Sequence, residues 1–258
     1  MSTISFRIAV IAVALGIVTG CSSTRSSKPP LVSTKASAVQ RAATPVPTPA
    51  TAPYPAGTKG YSISWPQCGV AYPPPPFDFG MVGVTDGIAF THNPCFADEY
   101  RWAVGGLFPP TVYWNVNYVE CGRRDPSCDP RSYGYREAQD AYDYAASQGA
   151  HPAVWWLDIQ TVSDWSPDET HNAEAIRGAI QFFIDNGVRP AISSTRYQLG
   201  VVAGPAFVPG LSSFVAGRED FAHAEAFCAD DDLFAGRGTE LTAYPWNGFE
   251  GILSCGPQ

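Results

Sequence analysis

The sequence predicts a mixed α/β fold built on a parallel sheet. From residue 60 onward, short apolar runs alternate with segments of helical spacing, a pattern typical of parallel strands joined by helices. After residue 202 the alternation breaks, because two further strand patterns follow with no convincing helix between them. Six cysteines in this region can clip one compact unit. We therefore predict a single TIM-like (β/α) barrel, irregular and disulfide-clipped, with helix-poor C-terminal strands; an open doubly wound sheet is the alternative.

The elements follow from local periodicity. Strands are predicted at 61–65, 79–85, 112–117, 153–161, 189–194, 213–216 and 240–244. Helices are predicted at 94–105, 135–145, 167–186 and 197–202, where apolar residues recur at helical spacing. The third helix has a capping-box pattern, with Ser166 as its cap and Pro167 at its first position.

The first 59 residues are predicted to lie outside the barrel. Arg7 precedes an apolar run at 8–18 that has the length of a signal-peptide core. The run ends in Val18-Thr19-Gly20-Cys21, which resembles the lipobox of bacterial lipoproteins; an uncleaved N-terminal anchor is the alternative. We predict a signal peptide at 1–20, lipidation of Cys21, a Pro/Ser/Thr-rich disordered tether at 21–59 and a barrel domain at 60–258. The protein is then exported and lipid-anchored to the outer face of the cell membrane.

Composition narrows the classes of ligand. The net charge of −8 and the pI of about 4.9 argue against nucleic acid, which requires a basic surface. No Gly-x-Gly-x-x-Gly or P-loop follows a predicted strand, and no Cys or His spacing fits zinc. We expect the protein to bind neither a cofactor nor a metal, and to be a monomer. A glycan partner would be held by hydrogen bonds and aromatic faces rather than by charge.

The cysteines beyond Cys21 are even in number, as expected for disulfides in an exported domain. Six cysteines allow fifteen connectivities. Sequence order suggests the pairs Cys68–Cys95, Cys121–Cys128 and Cys228–Cys255.

The segment 153–161 is the main reason for predicting a functional site. It is almost wholly apolar until Asp158 and Gln160, two residues apart at the end of the predicted strand. Side chains alternate along a strand, so these two point the same way. At the carboxyl end of a barrel strand they would lie in the mouth, where barrel enzymes carry their chemistry. The alternative is that Asp158 is a hydrogen-bonded carboxylate that closes the strand.

Several stretches resemble the Chalaropsis-type lysozymes, and more closely an exported actinobacterial group of lysozyme-like domains. The matching stretches are 61–69 (YSISWPQCG), 79–87, 90–95, 155–161 (WWLDIQT) and 244–255. The resemblance implies a barrel whose later strands lack helices and a muramidase ancestry. It also implies acidic residues at the positions of Asp86 and Glu250.

This sequence differs from the lysozymes it resembles at positions that carry their catalytic residues. The resemblance places an aspartate where this chain has Ser62, and the proton-donating glutamate where it has Gln160. An amide has no proton to give, and loss of a general acid costs about 10²–10⁴ in rate. We therefore expect a pseudoenzyme that binds a glycan or peptidoglycan. The alternative is an active glycosidase that uses Asp158 with an acid relocated to Asp86, Asp164 or Glu250.

Aromatic and amide side chains near strand ends are candidates for contact with a glycan. The candidates are Trp65, Gln67, Tyr113, Asn115, Asn117 and Tyr244, with Trp114 and Trp246 as further stacking candidates. Buried asparagines that satisfy backbone groups are an equally common alternative for Asn115 and Asn117. Trp155 and Trp156 lie mid-strand and are expected to pack in the core.

Overall fold

A computed structural model describes residues 54–119, 129–230 and 232–256. Within these ranges eight strands close into one barrel, each bonded to the next and the last bonded to the first. The first seven run parallel, and the eighth is antiparallel to both of its neighbours. The strands are β1 Lys59–Ile63, β2 Phe79–Gly83, β3 Thr111–Asn115, β4 Val154–Asp158, β5 Arg189–Ser193, β6 Leu211–Val215, β7 Gly236–Trp246 and β8 Phe249–Ser254. The predicted closed barrel is confirmed, and the open sheet is excluded.

Five α-helices lie in the described part of the chain. They are α1 Phe96–Ala103, α2 Pro130–Ser147, α3 Glu169–Asp185, α4 Arg196–Ala203 and α5 Phe221–Phe227. The first four confirm the sequence prediction. The fifth corrects it: the side chain of Asp220 caps a seven-residue helix between β6 and β7 by accepting from the His223 amide.

Two helical starts differ from prediction. Trp65 lies in a 3₁₀ turn, Trp65–Gln67, rather than at the end of β1. Helix α3 begins at Glu169, and its cap is Asp168, whose carboxylate accepts from the amides of Thr170 and His171. A carboxylate is the stronger cap because it also complements the positive end of the helix dipole.

The barrel has an inner and an outer apolar layer, as alternation along its strands requires. The inner layer includes Phe79, Met81, Trp156, Phe214 and Leu241. The outer layer packs the strands against the helices and includes Trp114, Trp155, Leu157, Ile176 and Phe183. Trp155 and Trp156 are fully buried on opposite faces of β4, which confirms their assignment to the core.

The chain joins the barrel at its base, the end where the parallel strands begin. Tyr54 is buried and stacks on Phe79 with ring centroids 3.8 Å apart, and its hydroxyl donates to the carbonyl oxygen of Pro109 at 2.8 Å. The Ser254 hydroxyl, at the end of β8, donates to the Tyr54 carbonyl oxygen at 3.1 Å. The folded unit therefore includes Tyr54, which the sequence analysis assigned to the tether.

The predicted signal peptide, Cys21 and the tether up to residue 53 lie outside the described residues. No helix among residues 54–119, 129–230 and 232–256 is both long and apolar enough to cross a membrane.

Two of the three expected disulfides are confirmed. Cys68 and Cys95 are bonded with their Cα atoms 5.5 Å apart, and Cys228 and Cys255 with theirs 5.1 Å apart. The first links the loop after β1 to the start of α1, and the second links the end of α5 to the end of β8. The pair Cys121–Cys128 lies outside the described residues.

Candidate functional site

The mouth of the barrel collects the carboxyl ends of β1 to β7 and the beginning of the antiparallel β8. Register places Asn115 opposite Asp158 and Asp158 opposite Ser193 across three neighbouring strands. On the other side of the mouth, Ser62 of β1 is paired with Glu250 of β8. The reversed direction of β8 is what brings Glu250 to this end of the barrel.

Asp158 is the centre of a hydrogen-bond network. Its Oδ2 accepts from Asn115 Nδ2 at 2.8 Å and from Gln160 Nε2 at 2.7 Å. Its Oδ1 accepts from Ser193 Oγ at 2.9 Å. The residue is only 4% exposed. The carboxylate is therefore held by three protein donors, one of them the amide at position 160.

The surroundings raise the pKa of Asp158 to about 6. Burial is the largest cause, and the nearby charge of Glu250 raises the pKa further. The hydrogen bonds from Gln160, Ser193 and Asn115 act in the opposite direction because they favour the charged form.

Glu250 is a second carboxyl in the same site, with a different environment. The residue has an exposed surface at the mouth, but the protein atoms around its carboxyl desolvate it and raise its pKa. A hydrogen bond with the Ser62 side chain partly offsets this rise. The structure thus brings together Ser62, Asp158, Gln160 and Glu250, four of the five residues selected for chemistry.

Tyr113 and Asn115, both on β3, link the site to residues just after β1 and β2. Tyr113 forms a hydrogen bond with the Ser64 side chain, and burial, then the charge of Asp158, raises the pKa of its hydroxyl. Asn115 Oδ1 accepts from Thr85 Oγ1 at 2.8 Å, which orients the amide so that its nitrogen faces Asp158. Tyr113 and Asn115 therefore lie within the site.

Other candidates lie elsewhere. Asp86 and Asp164 are exposed in loops, and no contact in the described residues links either to Asp158. Gln67 Oε1 accepts from the Ser64 amide at 2.9 Å, so this side chain closes the 3₁₀ turn. Asn117 is buried, and its Oδ1 accepts from the Ala89 amide at 3.0 Å, which matches the backbone-satisfying alternative.

The aromatic candidates separate into rim and core. Trp65 is 45% exposed directly after β1 and offers a face at the rim. Trp114 is buried among the helices, and Trp246 stacks on Tyr61 with centroids 4.2 Å apart. Tyr244 is buried and packs edge-on against Phe221.

Sequence reasoning missed Ser64, Thr85 and Ser193. Each is a small hydroxyl residue at or just beyond the end of a parallel strand, and that position is the signal that would have identified them. Among the described residues, no group of three or more His, Cys, Asp or Glu side chains could hold a metal ion.

Comparison with known proteins identifies the class of fold. No family model and no curated protein matches the chain. Solved structures do match, among them an endolysin, an autolysin and a spore cortex lytic enzyme, and the similarity shows that the domain shares their barrel fold.

Three of these structures show the extent of the similarity. The spore cortex lytic enzyme SleM of Clostridium perfringens has a TM-score of 0.53 and 12% identity over 78% of this chain and 68% of its own. The modular autolysin LytC of Streptococcus pneumoniae has a TM-score of 0.51 and 9% identity, over 76% of this chain and 46% of its own. The modular Cpl-1 endolysin has a TM-score of 0.50 and 14% identity, over 78% of this chain and 55% of its own. The chain thus spans about half the length of LytC and Cpl-1.

The pKa of Asp158 is expected to fall when Glu250 is replaced by glutamine, because the Glu250 charge raises it. Carboxyl carbon NMR titration measures this value directly. The control is Glu225→Gln, an exposed glutamate in α5, which should leave the titration near 6. An unchanged midpoint in Glu250→Gln would show that the two carboxyls do not interact. Since the folded pKa exceeds the ordinary 3.8, the contribution of Asp158 to stability is present below pH 3.8 and is lost as pH rises through 6.

Proposed function

We propose that this domain binds a glycan of the peptidoglycan class in the barrel mouth without hydrolysing it. The observation that carries the proposal is the amide of Gln160, which donates a hydrogen bond to Asp158 and stands where the resemblance to the Chalaropsis-type lysozymes implies the proton-donating glutamate. Glycoside hydrolysis requires a carboxylic acid to protonate the leaving oxygen. An amide has no proton to give at any relevant pKa, so Gln160 cannot supply it.

Asp158 is also poorly placed to react. Three protein donors occupy its two oxygens, and only 4% of the residue is exposed. The remaining polar groups of the mouth suit binding: the hydroxyls of Ser62, Ser64 and Tyr113 can exchange hydrogen bonds with sugar hydroxyls. The exposed face of Trp65 can stack on a sugar ring.

Two of the similar structures support the choice of ligand class. Cpl-1 was solved complexed with a peptidoglycan analogue, and LytC in complex with a synthetic peptidoglycan ligand. The proposal includes export and a lipid anchor at Cys21, which would keep a monomeric domain beside the cell wall. Replacing Cys21 with serine would then release the protein from the membrane fraction.

The proposal is tested by calorimetric titration of the purified protein with muropeptides and with chitotetraose. Binding is expected, together with no release of reducing ends. Trp65→Ala should weaken binding about 2–10-fold, since aromatic stacking contributes about 0.5–1.5 kcal/mol. The matched control is Leu107→Ala, which removes an exposed apolar side chain from the loop between α1 and the start of β3, at the end of the barrel opposite the mouth, and should bind like the wild type. No binding of either ligand at millimolar concentration would refute the proposal.

Glu250 favours a second candidate, an active glycosidase. It is a carboxyl in the same mouth whose pKa is raised by burial, as a general acid requires, beside Asp158 with its hydrogen-bonded carboxylate. Release of reducing ends by the wild type, lost in Glu250→Gln at unchanged thermal stability, would establish this activity and replace the first proposal.

A further inference from the structure

A small cavity lies beside the proposed glycan site. It has a volume of about 220 Å³, and its lining includes Arg218, Tyr244, Pro245, Phe249 and Glu250. Glu250 belongs to both the cavity and the mouth, so the two are continuous at that side chain. The volume is below the roughly 300–1,000 Å³ of sites that enclose a whole ligand. It suits a substituent that projects from a glycan better than the glycan chain itself.

Arg218, which lines this cavity together with Glu250, makes no ion pair among the described residues. Its Nη2 donates one long hydrogen bond of 3.4 Å to the Ala216 carbonyl oxygen, and its Nε is buried without an acceptor. No carboxylate of the described residues lies within ion-pairing distance of it. Arg189, by comparison, is ion-paired with Glu240 through both of its Nη atoms, although its Nε also lacks an acceptor. A partly buried guanidinium that makes no ion pair keeps donors free for a ligand, because the group stays protonated at any relevant pH.

The position of Arg218 is fixed by its surroundings. Its guanidinium lies over the Phe227 ring, 4.6 Å from the centroid, and its backbone amide donates to the Ala243 carbonyl oxygen at 3.1 Å. The preceding Gly217 has a φ of 81°, a conformation that glycine adopts without strain. A planar donor held in this way can receive a carboxylate without first losing side-chain freedom.

We propose that Arg218 is a carboxylate-binding subsite that makes this domain selective for acidic glycans. This inference rests on the proposed function, and it specifies the ligand: a glycan bearing a free carboxylate, supplied either by an attached peptide or by an acidic sugar. The carboxylate lies in the cavity against Arg218 while the sugar chain occupies the mouth. The apolar walls formed by Tyr244, Pro245 and Phe249 reduce solvent screening of the pair.

Calorimetry with three ligands tests the inference. The ligands are a muropeptide with free peptide carboxylates, an oligosaccharide containing a uronic acid, and neutral chitotetraose. The wild type is expected to prefer at least one acidic ligand over chitotetraose, and which of the two it prefers identifies the source of the carboxylate. Arg218→Met should weaken that acidic ligand about 10–100-fold and leave chitotetraose unchanged, as expected for a charge-assisted hydrogen bond.

Two further variants control for fold and net charge. Arg237→Met removes an exposed arginine at the base of β7 and should preserve the preference. Arg218→Lys keeps the charge without the planar fork and should retain part of the preference, which covers the case in which Arg218→Met does not fold. Equal affinity of the wild type for acidic and neutral ligands would overturn the subsite and leave glycan binding intact. Absence of binding to all three ligands would overturn the proposed function together with it.

Discussion

Replacing Gln160 with glutamate is expected to give the domain glycoside hydrolase activity. Gln160 Nε2 lies 2.7 Å from Asp158 Oδ2, so a glutamic acid there would hold its proton in the same hydrogen bond. The neighbouring carboxylate and the burial that raises the pKa of Asp158 would keep that acid protonated close to neutral pH. Restoring a general acid should raise the rate by about 10²–10⁴ over the wild type.

The measurement is release of reducing ends from purified peptidoglycan as a function of pH. Adding Ser62→Asp, which places a carboxylate where the resemblance to the Chalaropsis-type lysozymes implies an aspartate, should increase the rate again. Gln148→Glu, at the exposed end of α2, adds the same charge far from the mouth and serves as the control. If Gln160→Glu and the double variant both bind glycan but remain at the level of the control, the amide at position 160 is not what prevents hydrolysis.

Breaking the ion pair between Arg189 and Glu240 is expected to cause the largest loss of stability. Arg189 Nη1 and Nη2 donate to the two carboxylate oxygens of Glu240 at 2.7 and 2.6 Å, and the side chains are only 14% and 4% exposed. Glu240→Gln leaves a largely buried guanidinium without a counter-charge, which costs about 3–5 kcal/mol. The unfolding temperature should fall by about 10 °C for a domain of this size.

Calorimetry and urea unfolding of the variants measure this loss. The matched control is Asp98→Asn, which breaks the exposed pair between Arg101 and Asp98, with side chains 75% and 67% exposed. That change should cost less than about 1 kcal/mol. If Glu240→Gln and Asp98→Asn lowered the free energy of unfolding equally, the burial of the Arg189–Glu240 pair would not make stability depend more strongly on that pair.

The regular part of the barrel is predictable because its signal is local. Each of the first seven strands carries either a short apolar run or an alternation of apolar and polar residues, and the helices α1 to α4 have periodic apolar faces. The omissions are β8 and α5. The β8 sequence FEGILS has a central glycine and an early charge, and α5 spans seven residues and depends on the Asp220 cap and on packing near Tyr244.

Only part of the candidate site could be predicted from the sequence, because some of its contacts join strands that are distant in the chain. The two-residue spacing of Asp158 and Gln160 was enough to place them on the same side of β4, where they are hydrogen-bonded. The relation of Glu250 to Asp158 depends on the direction of β8, and the contact with Ser193 depends on the register between β4 and β5. A local pattern of residues predicts neither the direction of a strand nor its register with the neighbouring strand.

The contacts of Tyr54 at the base determine where a shortened form of the domain can begin. The Tyr54 ring stacks on Phe79, and the Tyr54 carbonyl oxygen accepts from the Ser254 hydroxyl at the end of β8, so this residue belongs to the barrel although it precedes β1. A truncated protein that starts at residue 60 would lose both contacts and would expose the Phe79 ring, which is fully buried in the intact domain. A truncated protein that starts just before Tyr54 would keep the apolar base of the barrel covered.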